Sequence, residues 1–301
     1  MSEQLLSEAR PRRLLLATDL DSRGDRALDR AVQLARDWRA ELHLVHVAEP
    51  QQALPRDVDQ VSGIGEENFS TVFPDPHAAT VRRIHRYVKH AGLPIKIHIE
   101  EGAPAGAILA VAEREACDLV ILGESREVLL GLVESTLDQV VRKAPVSVLV
   151  VRERPHAAYR SLLVGTDFTD EALQAVVMAA NVFPEARIEL MHAYQMPYAG
   201  FLQNSPQTSA WIADKLKQLR AHLDQADLPR ERKESISPLV AVGPPAGALR
   251  RHVEEREPDL TVIGAHPRGM LFDAMVGNSR PILSAIPGDI LIVRASRRSA
   301  G

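Results

Sequence analysis

Short aliphatic runs punctuate the chain, and the stretches between them carry apolar residues at helical spacing. In the first half the runs are Leu14 to Ala17, Leu42 to Val47, Ile95 to Ile99, Leu119 to Leu122 and Val146 to Val151. Between them, Ala27, Leu28, Ala31, Val32, Leu34 and Ala35 make one apolar stripe, and Ala107, Ile108, Ala110, Val111 and Ala112 make another. That is the repeat of a helix with one buried face. The runs are continuously apolar rather than alternating, so both faces of each strand should be covered. Strands alternating with helices predict parallel pairing through right-handed crossovers, hence an open, doubly wound α/β sheet.

The second half repeats this order through Leu162 to Val164, Ile188 to Met191, Pro238 to Val242, Leu260 to Ile263 and Ile290 to Val293. Individual phrases return with it. Arg13 to Asp19 reads RLLLATD and Ser161 to Asp167 reads SLLVGTD. Gly102-Ala-Pro-Ala-Gly-Ala is matched by Gly243-Pro-Pro-Ala-Gly-Ala, and Asp118-Leu-Val-Ile-Leu-Gly123 by Asp259-Leu-Thr-Val-Ile-Gly264. The offset between copies falls only from 148 residues at Asp19 and Asp167 to 141 at Gly123 and Gly264. The expectation is two tandem doubly wound open parallel five-stranded sheets packed as an internal pseudo-dimer, domain 1 over residues 1–151 and domain 2 over 160–294. The charged segment 152–159, with Pro155, reads as the linker. Glu49 to Pro76 and its shorter counterpart Gln195 to Gln207 read as long loops after the second strands.

Composition narrows the class. With 301 residues, 45% hydrophobic and 25% charged, each half can bury its own core. A net charge of -4 argues against a nucleic-acid footprint. The basic end with Arg294, Arg297 and Arg298 reads as a solvated tail. The single cysteine, Cys117, precedes a buried-looking strand and is expected to be inert. No stretch reaches the ~18 continuous apolar residues of a membrane span, and the N-terminus lacks the apolar core of a signal peptide. The expected address is therefore the cytoplasm.

In an open parallel sheet, ligands bind beyond the carboxyl ends of the strands, where the strand order reverses. Asp19 and Asp167 end the first strands, and Gly123 and Gly264 end the fourth. The loop that follows Ile263 and Gly264 reads Ala-His266-Pro-Arg268-Gly269 and runs on to Gly277-Asn278-Ser279. Its glycines would let backbone amides approach an anion, a helix starting near Asn278 or Ser279 would add its positive end, and Arg268 would add charge. A nucleotide fits this layout, with Thr166 and Asp167 facing adenine or ribose donors and main-chain amides facing phosphates.

At these residues the chain resembles the universal stress protein family, in a tandem form covering roughly Arg12 to Val151 and Arg160 to Val293. The family pattern is an Asp ending the first strand, a Leu-x-His-Val end to the second, G-x-x-G followed by nine residues and G-[ST] after the fourth, and Ala-Pro-x-x-Val before the fifth. In the second half Gly264 and Gly277 hold the outer glycine positions with that spacing intact. Pro267 replaces the middle glycine and Asn278 the usual Ser or Thr; Gly269 restores close approach, and Asn278 still caps a helix. The first-half loop is two residues shorter. Glu134 stands where its last glycine should be, and Glu124 and Glu127 add charge that only Arg126 opposes. This half is expected to bind phosphates weakly or not at all. The resemblance also implies that the fifth strands, Val146 to Val151 and Ile290 to Val293, meet at the seam between halves.

The histidines give no metal pattern by spacing. His43 and His46 lie three apart in a strand and point to opposite faces, and no ligand pair of zinc-enzyme type occurs. His46 and His192 hold matching positions, as packed strand ends would. No catalytic set emerges from spacing either. The chain is thus expected to be a stress-response protein that binds ATP, with or without Mg, or another adenine nucleotide, mainly in its second half, and at most a slow ATPase. Homodimerisation of tandem chains is expected. The alternative is a nucleotide-independent scaffold, or a binder of another small ligand, in which duplication supplies an internal dimer.

Overall fold

A computed structural model describes residues 10–20, 24–48, 81–82, 84–86, 88, 92–124, 135–194, 206–265 and 286–294. The first half runs β1 (Arg13–Ala17), α1 (Gly24–Trp38), β2 (Glu41–Ala48), β3 (Ile95–Glu101), α2 (Pro104–Arg114), β4 (Leu119–Gly123), α3 (Thr136–Lys143) and β5 (Ser147–Val151). The second runs β6 (Ser161–Gly165), α4 (Asp170–Val182), β7 (Arg187–Tyr194), α5 (Pro206–Asp224), α6 (Arg230–Ser235), β8 (Ser237–Val242), α7 (Pro245–Arg256), β9 (Leu260–Gly264) and β10 (Asp289–Val293). Residues 81, 82, 84, 85, 86 and 88 are also helical, and Ile84 among them is fully buried. The helix α5 starts at Pro206, inside the stretch expected to be loop. Proline is suited to a first helical turn because its missing N–H has no intrahelical partner there.

The ten strands form one sheet in the order β3-β2-β1-β4-β5-β10-β9-β6-β7-β8. Pairing within each half is parallel. The halves join where β5 meets β10 antiparallel, with Ile290 opposite Val150 and Leu291 opposite Leu149. Two sheet edges that would otherwise present unpaired backbone groups thereby cover each other. The strands bury both faces, as their unbroken apolar runs require. One core cluster takes Leu14, Leu16, Leu162 and Val164 with α1 and α4; the other takes Leu15, Val120, Leu163 and Ile263 with α2, α3 and α7. Cys117 lies in the second cluster, and burial pushes its thiol up to about 11, so it stays protonated and unreactive.

The repeated aspartate of the Asp118 and Asp259 phrases has a structural reason. Asp118 Oδ2 accepts the backbone N–H groups of Arg12 and Arg13 at 2.7 and 3.0 Å, and Asp259 Oδ2 accepts those of Arg160 and Ser161 at 2.7 and 2.8 Å. Each carboxylate latches the start of one central strand to the start of its neighbour. The helix α3 carries another local signal, a capping box in which Ser135 Oγ accepts from Asp138 N at 3.1 Å. Ser135→Ala should lower stability by about 1 kcal/mol, read as a shift in urea midpoint at constant slope.

The segment after β5 is bound closely to the fold. Arg152 and Tyr159 are buried. The Arg152 guanidinium donates to the carbonyl of Ile286 at 2.6 Å and pairs with Glu124, while Tyr159 donates its hydroxyl to Asp289 at 2.5 Å. Arg294 also departs from the solvated tail expected of it. Its guanidinium donates to the carbonyls of Val141 and Arg142 at 2.8 and 2.9 Å, at the end of α3. Each half thus sends an arginine from just past its fifth strand to carbonyls of the other half. Arg297 and Arg298 lie outside the described residues.

Candidate functional site

The strand order reverses between β6 and β9: the chain leaves β6 outward through β7 and β8, then returns to pair β9 on the other side. Register places Gly165 beside Ile263, so Thr166 and Asp167 emerge next to Gly264 at the carboxyl ends of adjacent strands. This is the crevice where open α/β sheets bind ligands.

The loop leaving β6 is tightly specified. Thr166 is buried; its N–H donates to Met191 O at 2.9 Å, and its hydroxyl accepts from Phe168 N at 3.1 Å. Phe168 takes a left-handed φ of 65°, which turns the chain into α4. Asp167 Oδ1 accepts both the N–H and the hydroxyl of Thr169, at 3.2 and 2.6 Å. Thr169 in turn caps α4 by accepting from Ala172 N at 3.3 Å. Asp167 is therefore oriented by the cap of the following helix, and both bonds use the same carboxylate oxygen.

Gly264 has a packing role that its reading as a phosphate glycine did not include. A Cβ there would stand 2.4 Å from Glu171 O and 2.7 Å from Ala172 N. The end of β9 and the first turn of α4 touch backbone to backbone, and only glycine permits that approach. Ile263, also expected to line the site, is fully buried, with its side chain in the core. Among the expected site residues, Thr166, Asp167 and Gly264 come together; His266, Arg268, Gly269, Gly277, Asn278 and Ser279 lie outside the described residues.

Sequence reasoning missed what stands behind the loop. His192 is buried and its Nδ1–H donates to Thr166 O at 2.8 Å, fixing the β6 loop to the end of β7. His46 makes the same bond to Thr18 O at 2.9 Å in the first half. The matching histidines are therefore strand-end latches. Phe168 packs between His192 and the buried His222 of α5, with ring centroids at 4.3 and 5.3 Å. Burial holds both histidines below their ordinary value; Asp167 pulls each up in part, Asp170 also raises His222, and Lys215 lowers His192. The unfolded chain takes up these protons near pH 6.5, the folded chain only at lower pH. Stability should therefore fall as pH drops below about 6.5, by up to ~1.4 kcal/mol per pH unit for each histidine. Urea unfolding at pH 7.5 and 5.5 measures this; His98, also held down by burial, contributes in the same direction, so His222→Phe should remove roughly a third of the slope.

The first-half crevice has the same frame. Leu20 is left-handed with φ 61°, and its N–H donates to Thr18 Oγ1 at 3.0 Å. Its charge arrangement is corrected in one respect. Glu124 is not opposed by Arg126 alone, because Arg152 donates to both its carboxylate oxygens, at 3.0 and 3.3 Å. Arg126, Glu127 and Glu134 lie outside the described residues.

Among the described residues no helix is long and apolar enough to cross a membrane. The model of the universal stress protein family matches residues 11–152 and again 158–294. A universal stress protein of Methanocaldococcus jannaschii is 24% identical over 151 residues, covering 47% of this chain and 82% of its own length. The crystal structure of a universal stress protein from Archaeoglobus fulgidus superposes with TM-score 0.60 at 16% identity, covering 94% of this chain and 96% of that one. A universal stress protein solved in complex with cAMP is 24% identical, covers 48% of this chain and 98% of its own, and has a TM-score of 0.37. With the family matched across both halves of one ten-stranded sheet, the chain belongs to the universal stress protein family as a member with two tandem copies of its domain.

Proposed function

We propose that the chain is a stress-response module that binds an adenine nucleotide, ATP foremost, in the crevice of its second half. The observation that carries this reading is the placement of Asp167 beside Gly264 at the point where strand order reverses. The first turn of α4 carries Asp170 and Glu171, so the helix dipole there is already matched by acidic groups and is a poor phosphate site. Asp167 then serves the adenine or ribose donors, and the phosphates belong with the loop from Ala265 to Ser279. The cAMP complex is a property of that relative; ATP, Mg and a slow hydrolysis are proposals for this chain, as is homodimerisation. The one carboxylate–hydroxyl contact described in the crevice, Thr169 to Asp167, is engaged in capping α4, which supports a regulatory binding role.

The test is calorimetric titration with ATP of three proteins: the unmodified chain, Asp167→Ala and Gly277→Glu. Saturable binding should weaken at least tenfold in each variant, about 1.4 kcal/mol, by loss of a charged hydrogen bond or by added repulsion. Equal weak binding by all three favours the nucleotide-independent scaffold.

A further inference from the structure

The first half holds a cluster that the nucleotide reading does not use. His43 on β2 and His98 on β3 lie on the same face, because Val45, two residues beyond His43, is the register partner of His98. Glu115 comes to them from the end of α2, where the left-handed Ala116 turns the chain back toward β4. His43 Nδ1 lies 3.1 Å from His98 Nε2 and 3.8 Å from Glu115 Oε2, and the three ligand atoms all fall within 4.8 Å of one another. The two imidazole rings are parallel within 2°.

We propose that His43, His98 and Glu115 form a divalent transition-metal site of zinc type, unrelated to the nucleotide crevice. Two imidazoles and a carboxylate are a zinc donor set. With Zn–N and Zn–O bonds of about 2.0–2.1 Å, tetrahedral ligand atoms stand roughly 3.3 Å apart. The two separations from His43 Nδ1, 3.1 and 3.8 Å, bracket that value, and the His98–Glu115 separation, within 4.8 Å, closes by a side-chain adjustment of Glu115. His43 is 1% exposed, and its Nε2 is buried without a hydrogen bond, with Glu41 Oε2 at 3.6 Å on that side. A carboxylate on the outer nitrogen of a ligating histidine is the usual second support of such sites.

The tautomers are also set for it. Arg114 can only donate, and it lies 3.4 Å from His98 Nδ1, so His98 carries its proton on Nε2 and donates to His43 Nδ1. His43 therefore already carries its own proton on Nε2, the form that ligates through Nδ1. Metal entry moves the His98 proton from Nε2 to Nδ1 and turns Arg114 fully onto Glu100 and Glu115, which it already contacts at 2.7 and 3.4 Å. The neighbouring charges balance: Glu41 is shared with Arg13 and Lys96, and Glu100 with Arg114.

The duplication supplies an internal control. Glu189 pairs beside β6 as His43 pairs beside β1, and it binds His252 at 2.8 Å with no third metal-ligand group beside the pair among the described residues. The full chain is titrated with Zn2+ by calorimetry, and with Co2+ by visible absorption, in a non-chelating buffer. One Zn2+ per chain at micromolar concentration, with a four-coordinate Co2+ spectrum, is expected. His98→Ala should weaken zinc binding by a hundredfold or more and Glu41→Gln by about tenfold. Glu115→Gln should also weaken it, while His252→Ala leaves it unchanged. Unfolding midpoints without metal establish that each variant is folded. Absence of saturable binding, binding unaffected by both His98→Ala and Glu115→Gln, or equal loss in His252→Ala overturns the site.

Discussion

Asp289→Ala should cost about 3–5 kcal/mol of stability, among the largest single effects in this chain. Asp289 is 1% exposed at the start of β10. Its Oδ1 accepts the backbone N–H groups of Arg152 and Glu153 at 2.7 and 2.9 Å. Its Oδ2 takes the Tyr159 hydroxyl and stands 3.7 Å from Arg30 Nε of α1. Arg30 is itself buried, lies 3.9 Å over the Tyr159 ring and donates to Ala157 O at 2.9 Å. Removing the carboxylate leaves two amides and a hydroxyl without their acceptor in a buried site and takes the counter-charge from Arg30. Burial and the Asp289 charge keep Tyr159 protonated, so the phenol remains a donor throughout the physiological range. Tyr159→Phe should cost less, about 1–2 kcal/mol, because only one hydrogen bond is lost. Urea unfolding measures both; an Asp289→Ala loss under 1 kcal/mol would show that the network carries no net stability.

The pseudo-symmetric position shows how the copies diverged. Ser147 begins β5 as Asp289 begins β10, and it faces Met178 of α4 at 3.7 Å where Asp289 faces Arg30. Ser147 still accepts the Arg294 N–H at 3.1 Å, as Asp289 accepts that of Arg152. One side of the seam holds the charged Asp289–Arg30 contact beside the connector with Tyr159; the matching position on the other holds the neutral Ser147–Met178 contact.

The second large effect is Gly264→Ala. A methyl group 2.4 Å from Glu171 O and 2.5 Å from Glu171 C collides with backbone at a helix start, not with a side chain that can rotate away. The expected loss is about 3 kcal/mol, the upper range of overpacking. The same substitution should have the opposite sign at Gly247 in α7, where nothing beyond the adjoining backbone of its own helix lies within 4 Å of the added carbon. There, relief of backbone entropy should stabilise by roughly 0.5–1 kcal/mol. Thermal or urea unfolding of the pair separates steric cause from any general intolerance of alanine.

The strands and their order were legible because unbroken aliphatic runs and the repeated phrases are local signals. Leu14 to Ala17 and Leu162 to Val164 both fall within one residue of observed strand ends. The crevice was legible for the same reason: Asp167 and Gly264 end strands that topology makes neighbours. What escaped depends on contacts distant in sequence. Tyr159 lies in a stretch whose composition reads as connector, and nothing near it reveals Asp289 130 residues away. His43 and His46 were set aside on spacing along one strand; the partner of His43 is His98, 55 residues on, reached only through register. Arg152 reads as the start of the charged linker and Arg294 as part of a solvated tail, yet each is fixed by carbonyls of the opposite half.

We propose that the two copies share a frame and that nucleotide binds in the second crevice alone. The most direct measurement is ATP stoichiometry and affinity by calorimetry for Asp19→Ala and Asp167→Ala side by side with the unmodified chain. One nucleotide per chain, retained in Asp19→Ala and weakened at least tenfold in Asp167→Ala, is the predicted result. Two nucleotides per chain, or a loss that follows Asp19 instead of Asp167, would contradict it.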